Sequence, residues 1–260
     1  MLFHKHEWTS QEFPCEIICA IPGGHMGELY IARLRNTSHI VAVKVVGKWK
    51  KEQLLLGKEV ECLQKMRWKG IPELYGYFKE CERNYYIMSY HEGINLEQYV
   101  MEYGVMEEAL VQKAALKLCG ILAYMHSDRI GMVHNDIKPA NIILQEDGGV
   151  VLVDYGLAEK IGNICENVTF QGTLGYAAPE SWHREKFQSD PTGDVFSLGA
   201  TLFYLLENKQ PQLCYGEFEL SNKEKKNRWQ SVLDKCCALD VKKRYRSAAQ
   251  VYEVVSKIQV

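Results

Sequence analysis

The sequence changes pattern near residue 91, and this change limits the fold more than any other feature. Before it, runs rich in β-branched and aromatic residues alternate with turn residues, which is typical of short β-strands. After His91-Glu92-Gly93, apolar residues recur mainly at helical spacing. We therefore predict a β-rich first third followed by a mainly helical remainder.

The predicted elements follow from these two patterns. Strands are expected at 14–21, 28–35, 39–46, 75–81, 84–90, 141–144 and 150–155. Helices are expected at 53–66, 107–127, 191–207, 227–239 and 247–258. The predicted fold class is α+β with two lobes: a small antiparallel β-sheet N-lobe with one helix (about 14–90) and a mainly helical C-lobe (about 91–260). Residues 1–260 would form a single domain with a ligand-binding cleft between the lobes.

Composition excludes several classes of protein. Of the 260 residues, 47% are hydrophobic and 25% are charged, so the chain can bury a core and is not disordered as a whole. The net charge of −2 shows no basic excess, so no nucleic-acid partner is expected. No apolar run reaches the roughly 18 residues of a membrane span, so no membrane association is expected.

Cysteine usage points to a reducing compartment. The nine cysteines contain no C-x-x-C pair, which favours reduced thiols and a cytoplasmic location. Cys236 and Cys237 are expected on a helix, with one side chain facing inward and the other outward.

A glycine-rich stretch lies between the first two predicted strands. It comprises Pro22, Gly23, Gly24 and Gly27, and it ends before Leu29. Glycines let backbone N–H groups approach a polyanion closely because no Cβ intervenes. A hairpin turn without a ligand would have the same composition.

One lysine ends an apolar strand. Val41-Ala42-Val43-Lys44 places an ammonium at the edge of a buried surface, where a lysine commonly extends its charge to solvent. Glu59 lies 15 residues further on, in the predicted helix, and is positioned to form an ion pair with Lys44.

Polar groups are concentrated in two further places. The stretch His134–Asn141 contains Pro139, which blocks a helix, so it is predicted to be a loop that presents Asp136, Lys138 and Asn141. Asp154 follows the apolar run Val150–Val153, and a carboxylate at a strand end suits a hard cation. Each of these taken alone is also compatible with an ordinary polar turn.

Together, in this order and spacing, these features resemble the eukaryotic-type protein kinase family of the serine/threonine type. Asp154-Tyr155-Gly156 follows Asp136 by 18 residues, and Ala177-Ala178-Pro179-Glu180 resembles the end of an activation segment. Asp194–Gly199 resembles the start of the family's buried central helix, and Arg244 the arginine that pairs with Glu180. The resemblance runs from about Cys15 to the C-terminus.

The resemblance implies a role for each polar residue. Pro22, Gly23, Gly24 and Gly27 would cover the phosphates of ATP, and Lys44, held by Glu59, would contact the α- and β-phosphates. Asn141 and Asp154 would bind Mg²⁺. Asp136 would accept the proton of the substrate hydroxyl, and Lys138 would offset the developing charge.

It also implies an adenine pocket and a substrate class. Adenine would lie between Leu29 and Ala42 on one side and Ile143 on the other, with Met88 at the back of the pocket and the backbone of Ser89, Tyr90 and His91 at its edge. Lys138, two residues after Asp136, follows the serine/threonine pattern, and Thr173 fits the same class. The expected substrate is therefore a protein with serine or threonine hydroxyls, with tyrosine as a lesser alternative.

Three positions depart from the family pattern. Pro22 replaces the first glycine and removes one N–H donor, which predicts looser nucleotide binding. Asn135 replaces an arginine that pairs with a phosphorylated activation-loop residue, so activity is expected not to depend on phosphorylation of 157–171. Tyr155 replaces a phenylalanine, and its hydroxyl needs a partner if it is buried.

Two other functions are weighed against an active protein kinase. A pseudokinase that binds nucleotide without phosphotransfer is favoured by Pro22 and Asn135, but the set Lys44, Glu59, Asp136, Lys138, Asn141 and Asp154 argues against it. A small-molecule kinase is less favoured, because Glu180 and Arg244 brace a peptide-docking surface in protein kinases.

Overall fold

The structure, a computed structural model, describes residues 6–8, 14–21, 28–46, 50–80, 83–211 and 218–260. The chain divides into two compact units. The first unit contains the residues up to Arg67 together with Pro72–His91, and the second contains Trp68–Ile71 together with Glu92–Val260.

The first unit contains a six-stranded sheet and one helix. The strands are β1 His6–Trp8, β2 Cys15–Ile21, β3 Glu28–Leu34, β4 Ile40–Val46, β5 Leu74–Glu80 and β6 Arg83–Ser89, in the order β1-β5-β6-β4-β3-β2. Helix α1 spans Lys50–Lys65. Strands β2 to β6 pair antiparallel, as predicted, whereas β1 adds a parallel strand beside β5 that the sequence did not predict.

Strand β4 lies inside the sheet and is buried on both faces. Val41, Val43 and Val45 pack in one apolar cluster, and Ala42 and Val46 pack in another. A strand that is covered on both faces has a nearly continuous apolar sequence. This explains why Ile40–Val46 contains a single charged residue, Lys44.

The second unit is mainly helical. Its helices are α2 Leu96–Tyr103, α3 Glu108–His126, α4 Pro191–Glu207, α5 Lys223–Cys236 and α6 Ala248–Val255. Helix α4 packs against α3, α5 and α6, and it is buried along almost its whole length. The predicted bounds of α4 are confirmed. The helix begins at Pro191 because the Asp190 side chain accepts a hydrogen bond from the Thr192 amide and because proline suits the first helical position.

Short strands complete the second unit. Strands β7 Ile94–Asn95, β9 Ile142–Leu144 and β10 Val150–Leu152 form one sheet, and β8 Met132–Val133 pairs with β11 Glu159–Lys160. Strands β12 Ile164–Phe170 and β13 Trp182–Gln188 form an antiparallel pair that the sequence did not predict. This pair ties the chain before Gly172 to the chain after Glu180.

Residues 68–71 have contacts within the second unit. The ring of Trp68 stacks on Tyr124, with centroids 4.7 Å apart. The Gly70 carbonyl accepts a hydrogen bond of 2.9 Å from the Leu152 amide. Gly70 has φ +92°, and a Cβ there would lie 2.6 Å from the Val150 oxygen, so this position requires glycine.

Several expectations were wrong. The strand predicted at 150–155 ends at Leu152, and the helix predicted at 247–258 ends at Val255. Helix α5 begins at Lys223 rather than 227, because the Asn222 side chain accepts hydrogen bonds from the amides of Glu224 and Lys225. Cys236 and Cys237 are both buried rather than divided between interior and surface. Cys237 ends the helix with φ −99° and ψ 12°, and this turn keeps both residues against Gly199 of α4.

Among the described residues, none of the helices combines the length and apolar character needed to cross a membrane.

Candidate active site

In the first unit, the site is built around Lys44 on β4. Its Nζ lies 2.6 Å from Oε2 of Glu59 on α1, so the predicted ion pair is present. The two side chains are only 14% and 4% exposed. Such a shielded pair is only weakly screened by salt, and removing either partner would leave a buried charge.

Apolar residues surround Lys44 on one face of the sheet. Side chains alternate along a strand, so Lys44 shares its face with Ala42 and Val46. Ala42 and Met88 are buried in one cluster, and Leu29 and Tyr90 pack against it. The structure therefore brings together Leu29, Ala42 and Met88, the first-unit residues predicted to line an adenine pocket with their side chains, and Tyr90, which was predicted to contribute its backbone.

Ser89 is fixed at the end of β6. Its N–H donates to the Glu73 carbonyl, and its hydroxyl accepts from the Glu73 N–H, both at 2.9 Å. The Ser89 hydroxyl also lies 2.8 Å from Nε2 of His91. Burial lowers the pKa of His91, so its ring is neutral at pH 7. The Ser89 amide is thus already used within the unit, whereas these contacts do not engage its carbonyl.

In the second unit, Asp136 lies at the centre of a hydrogen-bonded cluster. The Thr173 hydroxyl donates to Asp136 Oδ1 at 2.6 Å, and Asn141 Nδ2 donates to Oδ2 at 2.9 Å. Lys138 Nζ lies 3.0 Å from Asp136 Oδ2 and donates to the Thr173 hydroxyl at 2.8 Å. The carboxylate is 4% exposed, so these contacts fix its orientation.

Asp194 on α4 holds the backbone of the same loop. Its carboxylate accepts the amides of His134 and Asn135 at 2.8 and 2.9 Å, and lies 2.8 Å from Nε2 of His126. Complete burial would raise the pKa of Asp194. The net pKa is nevertheless lowered, by the hydrogen bond and charge of His126 and by the charge and backbone amide of His134.

Asn141 and Asp154 lie on neighbouring stretches of chain. The Asn141 carbonyl accepts the amide of Val153 at 2.9 Å, and Asp154 is the next residue. Asp154 has φ 65°, a left-handed conformation that aspartate tolerates better than most residues. Ile143 follows on β9, where it pairs with Asn95 and Val151.

Tyr155 is fully buried beside this region. Its hydroxyl donates to the Leu152 carbonyl at 3.0 Å, which supplies the partner that the sequence required. Its ring packs edge-on against His134, with centroids 4.8 Å apart.

Arg244 pairs with Glu180, as the sequence predicted. Two hydrogen bonds of 2.5 and 2.8 Å join the guanidinium to the carboxylate, and the Arg244 side chain has no exposed surface. This pair connects the end of the 171–180 stretch to the chain between α5 and α6.

A family model described as protein kinase domain matches residues 16–257. The chain belongs to the protein kinase domain family. An Aurora kinase from Dictyostelium discoideum is 29% identical over 211 residues, which cover 80% of this chain and 53% of the relative. Serine/threonine-protein kinase 36 from Pongo abelii is 31% identical over 219 residues, 82% of this chain and 16% of the relative. Serine/threonine-protein kinase PknA from Nostoc sp. is 33% identical over 204 residues, 71% of this chain and 35% of the relative.

This kinase domain therefore spans about half, or less, of the length of these relatives. Its α+β fold, with the antiparallel strands β2–β6 in the first unit and a mainly helical second unit, agrees with the predicted fold class. The predicted phosphate-loop residues Pro22, Gly23, Gly24 and Gly27 lie outside the described residues.

Sequence reasoning did not find the contacts of Asp194 or the Thr173–Asp136 hydrogen bond. A signal for Asp194 was present, because it is a carboxylate at the start of a very apolar helix, and a buried charge needs partners. No local pattern predicts that Thr173 contacts Asp136, since 37 residues separate them.

Proposed function

We propose that this kinase domain transfers the γ-phosphate of ATP to serine or threonine hydroxyls of protein substrates. The cluster of Asp136, Lys138, Asn141 and Thr173 carries this proposal. It combines a fixed carboxylate with an ammonium, which is the pairing that hydroxyl phosphorylation uses. The names of the relatives support the same substrate class.

Asp136 would orient the substrate hydroxyl and accept its proton. A general base must lie within hydrogen-bond reach of a hydroxyl, and Asp136 Oδ1 already accepts one from Thr173 at 2.6 Å. Lys138, 3.0 Å from the same carboxylate, would offset the negative charge on the transferred group.

The residues that would hold ATP are assigned from the family resemblance. Lys44, fixed by Glu59, would bind the α- and β-phosphates, and the backbone of 22–27 would cover them. Leu29, Ala42, Met88 and Ile143 would contact adenine. At its edge, Tyr90 and Ser89 would contribute backbone groups, and Ser89 would offer its carbonyl because its N–H is bonded to Glu73.

Asn141 and Asp154 would hold Mg²⁺. Mg²⁺ takes a few oxygen ligands from protein and the rest from phosphate and water, and these side chains provide such oxygens. Asn141 uses Nδ2 for its bonds to the Asp136 carbonyl and carboxylate, so Oδ1 would be the atom that binds the cation. When bound, the ion would neutralise phosphate charge.

Two finer points belong to the proposal. Asn135 is neutral and cannot pair with a phosphate as arginine does, so activity would not depend on phosphorylation of 157–171. A cytoplasmic location is supported by the free thiols of Cys15, Cys19, Cys119, Cys236 and Cys237.

The test uses ATP labelled at the γ-phosphate, Mg²⁺ and a generic protein substrate. The wild type is expected to label serine or threonine, and Asp136→Ala and Lys44→Ala are expected to lose the label. Lys65→Ala, at an exposed lysine paired with Glu61, serves as the control and should keep it. Nucleotide binding without any label would instead identify a pseudokinase, and label on a small molecule alone would identify a small-molecule kinase.

A further inference from the structure

Two side-chain amides converge on one backbone carbonyl of the second unit. Asn135 Nδ2 donates to the Leu157 oxygen at 3.1 Å, and Gln171 Nε2 donates to the same oxygen at 3.3 Å. All three residues are half-buried. A carbonyl has two lone pairs, so it can accept both donors at once.

The two donors flank residues of the Asp136 cluster. Asn135 directly precedes Asp136, and Gln171 lies two residues before Thr173. Leu157 follows Asp154 by three residues. The shared carbonyl therefore links three stretches of chain whose neighbouring residues are proposed to act on substrate and metal.

Backbone contacts hold both donors in place. The backbone N–H of Asn135 donates to Asp194 Oδ1 at 2.9 Å. Asn135 has φ 64°, a conformation in which asparagine is favoured. The Gln171 amide donates to the Ser181 carbonyl at 3.3 Å. The backbone of each residue is therefore already held in place without the side-chain hydrogen bond to Leu157.

Gly172 brings the two stretches into contact. It has φ +107°, and a Cβ at this position would lie 2.9 Å from the Asn135 carbonyl oxygen and 2.8 Å from the Ala177 Cβ. The chain that carries Thr173 thus passes directly against the chain that carries Asp136. A change in the spacing of these stretches would change the 2.6 Å hydrogen bond between Thr173 and Asp136.

We propose that Asn135 and Gln171 form a neutral clamp on the Leu157 carbonyl and act as positioning residues for Asp136 and Thr173. The proposal rests on the proposed phosphotransfer, which it deepens by naming what sets the catalytic geometry. Because both donors are uncharged amides, the clamp closes without a phosphate. It takes the place of the charge-assisted pair that an arginine at 135 would make with a phosphorylated residue.

The clamp predicts a specific pattern of variants. Gln171→Met keeps the shape of the side chain and removes its hydrogen-bond donor. Asn135→Gly keeps the left-handed backbone and removes the side-chain amide. Each single variant leaves one donor on Leu157, so kcat should fall about threefold to tenfold, the effect of one neutral hydrogen bond. The double variant leaves none, so its loss in kcat should exceed the product of the two single losses.

A matched control separates positioning from general destabilisation. Gln112 donates through its side-chain amide to the carbonyls of Val255 and Ile258 at 2.8 and 2.7 Å, in the same unit. Gln112→Met removes the same chemical group and should leave kcat within about twofold of the wild type. The KM for ATP should stay within about twofold in all variants, because neither Asn135 nor Gln171 is among the residues proposed to bind ATP.

Hydrogen exchange tests the clamp without activity. The amides of Gln171, Tyr176 and Ala177 donate to the carbonyls of Ser181, Thr173 and Thr173, respectively. These amides should exchange at least about fivefold faster in the double variant than in the wild type. Their exchange rates should be unchanged in Gln112→Met. If Asn135→Gly does not fold, Gln171→Met alone should still speed exchange at these amides.

The outcomes distinguish the clamp from the proposed function. Unchanged exchange, together with kcat within twofold of the wild type in Gln171→Met and the double variant, would overturn the clamp. A fall in kcat matched by Gln112→Met would also overturn it. If the wild type transfers no phosphate, the proposed function fails, and the exchange rates alone then decide whether the clamp is present.

Discussion

The guanidinium of Arg244 forms two hydrogen bonds with the carboxylate of Glu180, 64 residues earlier in the chain. Arg244 also donates to the Ala238 carbonyl at 2.6 Å and lies over the ring of Phe196, 5.0 Å from its centroid. A completely buried cation with these contacts ties the 171–180 stretch to the helices of the second unit.

Arg244→Met should lower the free energy of unfolding by about 3 to 5 kcal/mol, because it leaves the Glu180 carboxylate without its cation and the carbonyls of Ala238 and Thr192 without this donor. Urea unfolding measures the loss. Arg246→Met, the same change at an exposed residue two positions on, should cost less than about 0.5 kcal/mol. Equal losses in the two variants would contradict a structural role for the pair.

Glu59→Gln should reduce kcat/KM for ATP at least about tenfold, or about 1.4 kcal/mol, because the Lys44 ammonium loses the charge that fixes it. Glu61→Gln is the matched control, since Glu61 is exposed and bonds to Lys65 on the same helix. Steady-state kinetics with varied ATP measures both. An intact kcat/KM in Glu59→Gln would separate Lys44 from ATP binding.

Thr169 carries the one side-chain hydroxyl in residues 157–171, so it is the residue that loop phosphorylation would modify. If activity is independent of that modification, Thr169→Ala should change kcat less than about tenfold. Thr173→Ala should lower kcat at least about tenfold, since it removes the hydroxyl that contacts Asp136 and Lys138. A loss of more than about tenfold in Thr169→Ala would contradict this independence.

Gly199→Ala should destabilise the second unit by about 1 to 3 kcal/mol. A Cβ at Gly199 would lie 2.5 Å from the Cys236 Cβ and 2.6 Å from the Cys237 Sγ, and α4 and α5 would have to separate. Gly193→Ala lies on the same helix with no atom within 4 Å of the new Cβ, so it should be neutral or stabilising. Thermal unfolding of both variants checks the contrast.

Asp194 should make stability depend on pH. Its pKa is lower in the folded state than in the unfolded state, so its contribution is present above about pH 4 and is lost as the pH falls through the folded pKa. The difference in unfolding free energy between wild type and Asp194→Asn should shrink as the pH falls below about 4. A difference that stays constant down to pH 3 would contradict the lowered pKa.

The parts of the fold that the sequence predicted depend on local patterns. The apolar run around Val43 and the apolar pattern of α4 are readable within a few residues, and the family motifs identify Lys44–Glu59 and Glu180–Arg244 by their order and spacing. Helix α2 also had readable ends, an Asn95 cap and a C-terminal Gly104, but its eight residues gave too short a periodic signal.

The parts that were missed depend on distant partners. Strands β12 and β13 are separated by 11 residues, and β13 is mostly polar, so neither identifies the other from its own sequence. The same holds for Gln171 and Asn135, whose shared carbonyl becomes visible only when three stretches of chain are placed together. Pairing between distant segments is set by the whole fold, which local propensity does not report.

The placement of Trp68–Ile71 governs how this chain can be shortened. A fragment starting at Glu92 would keep helices α2 to α6, but Tyr124 would lose the stacked ring of Trp68, and the Leu152 amide would lose the Gly70 carbonyl. The two units are thus interleaved in the polypeptide, and no single cut separates the whole helical unit from every part of the first unit.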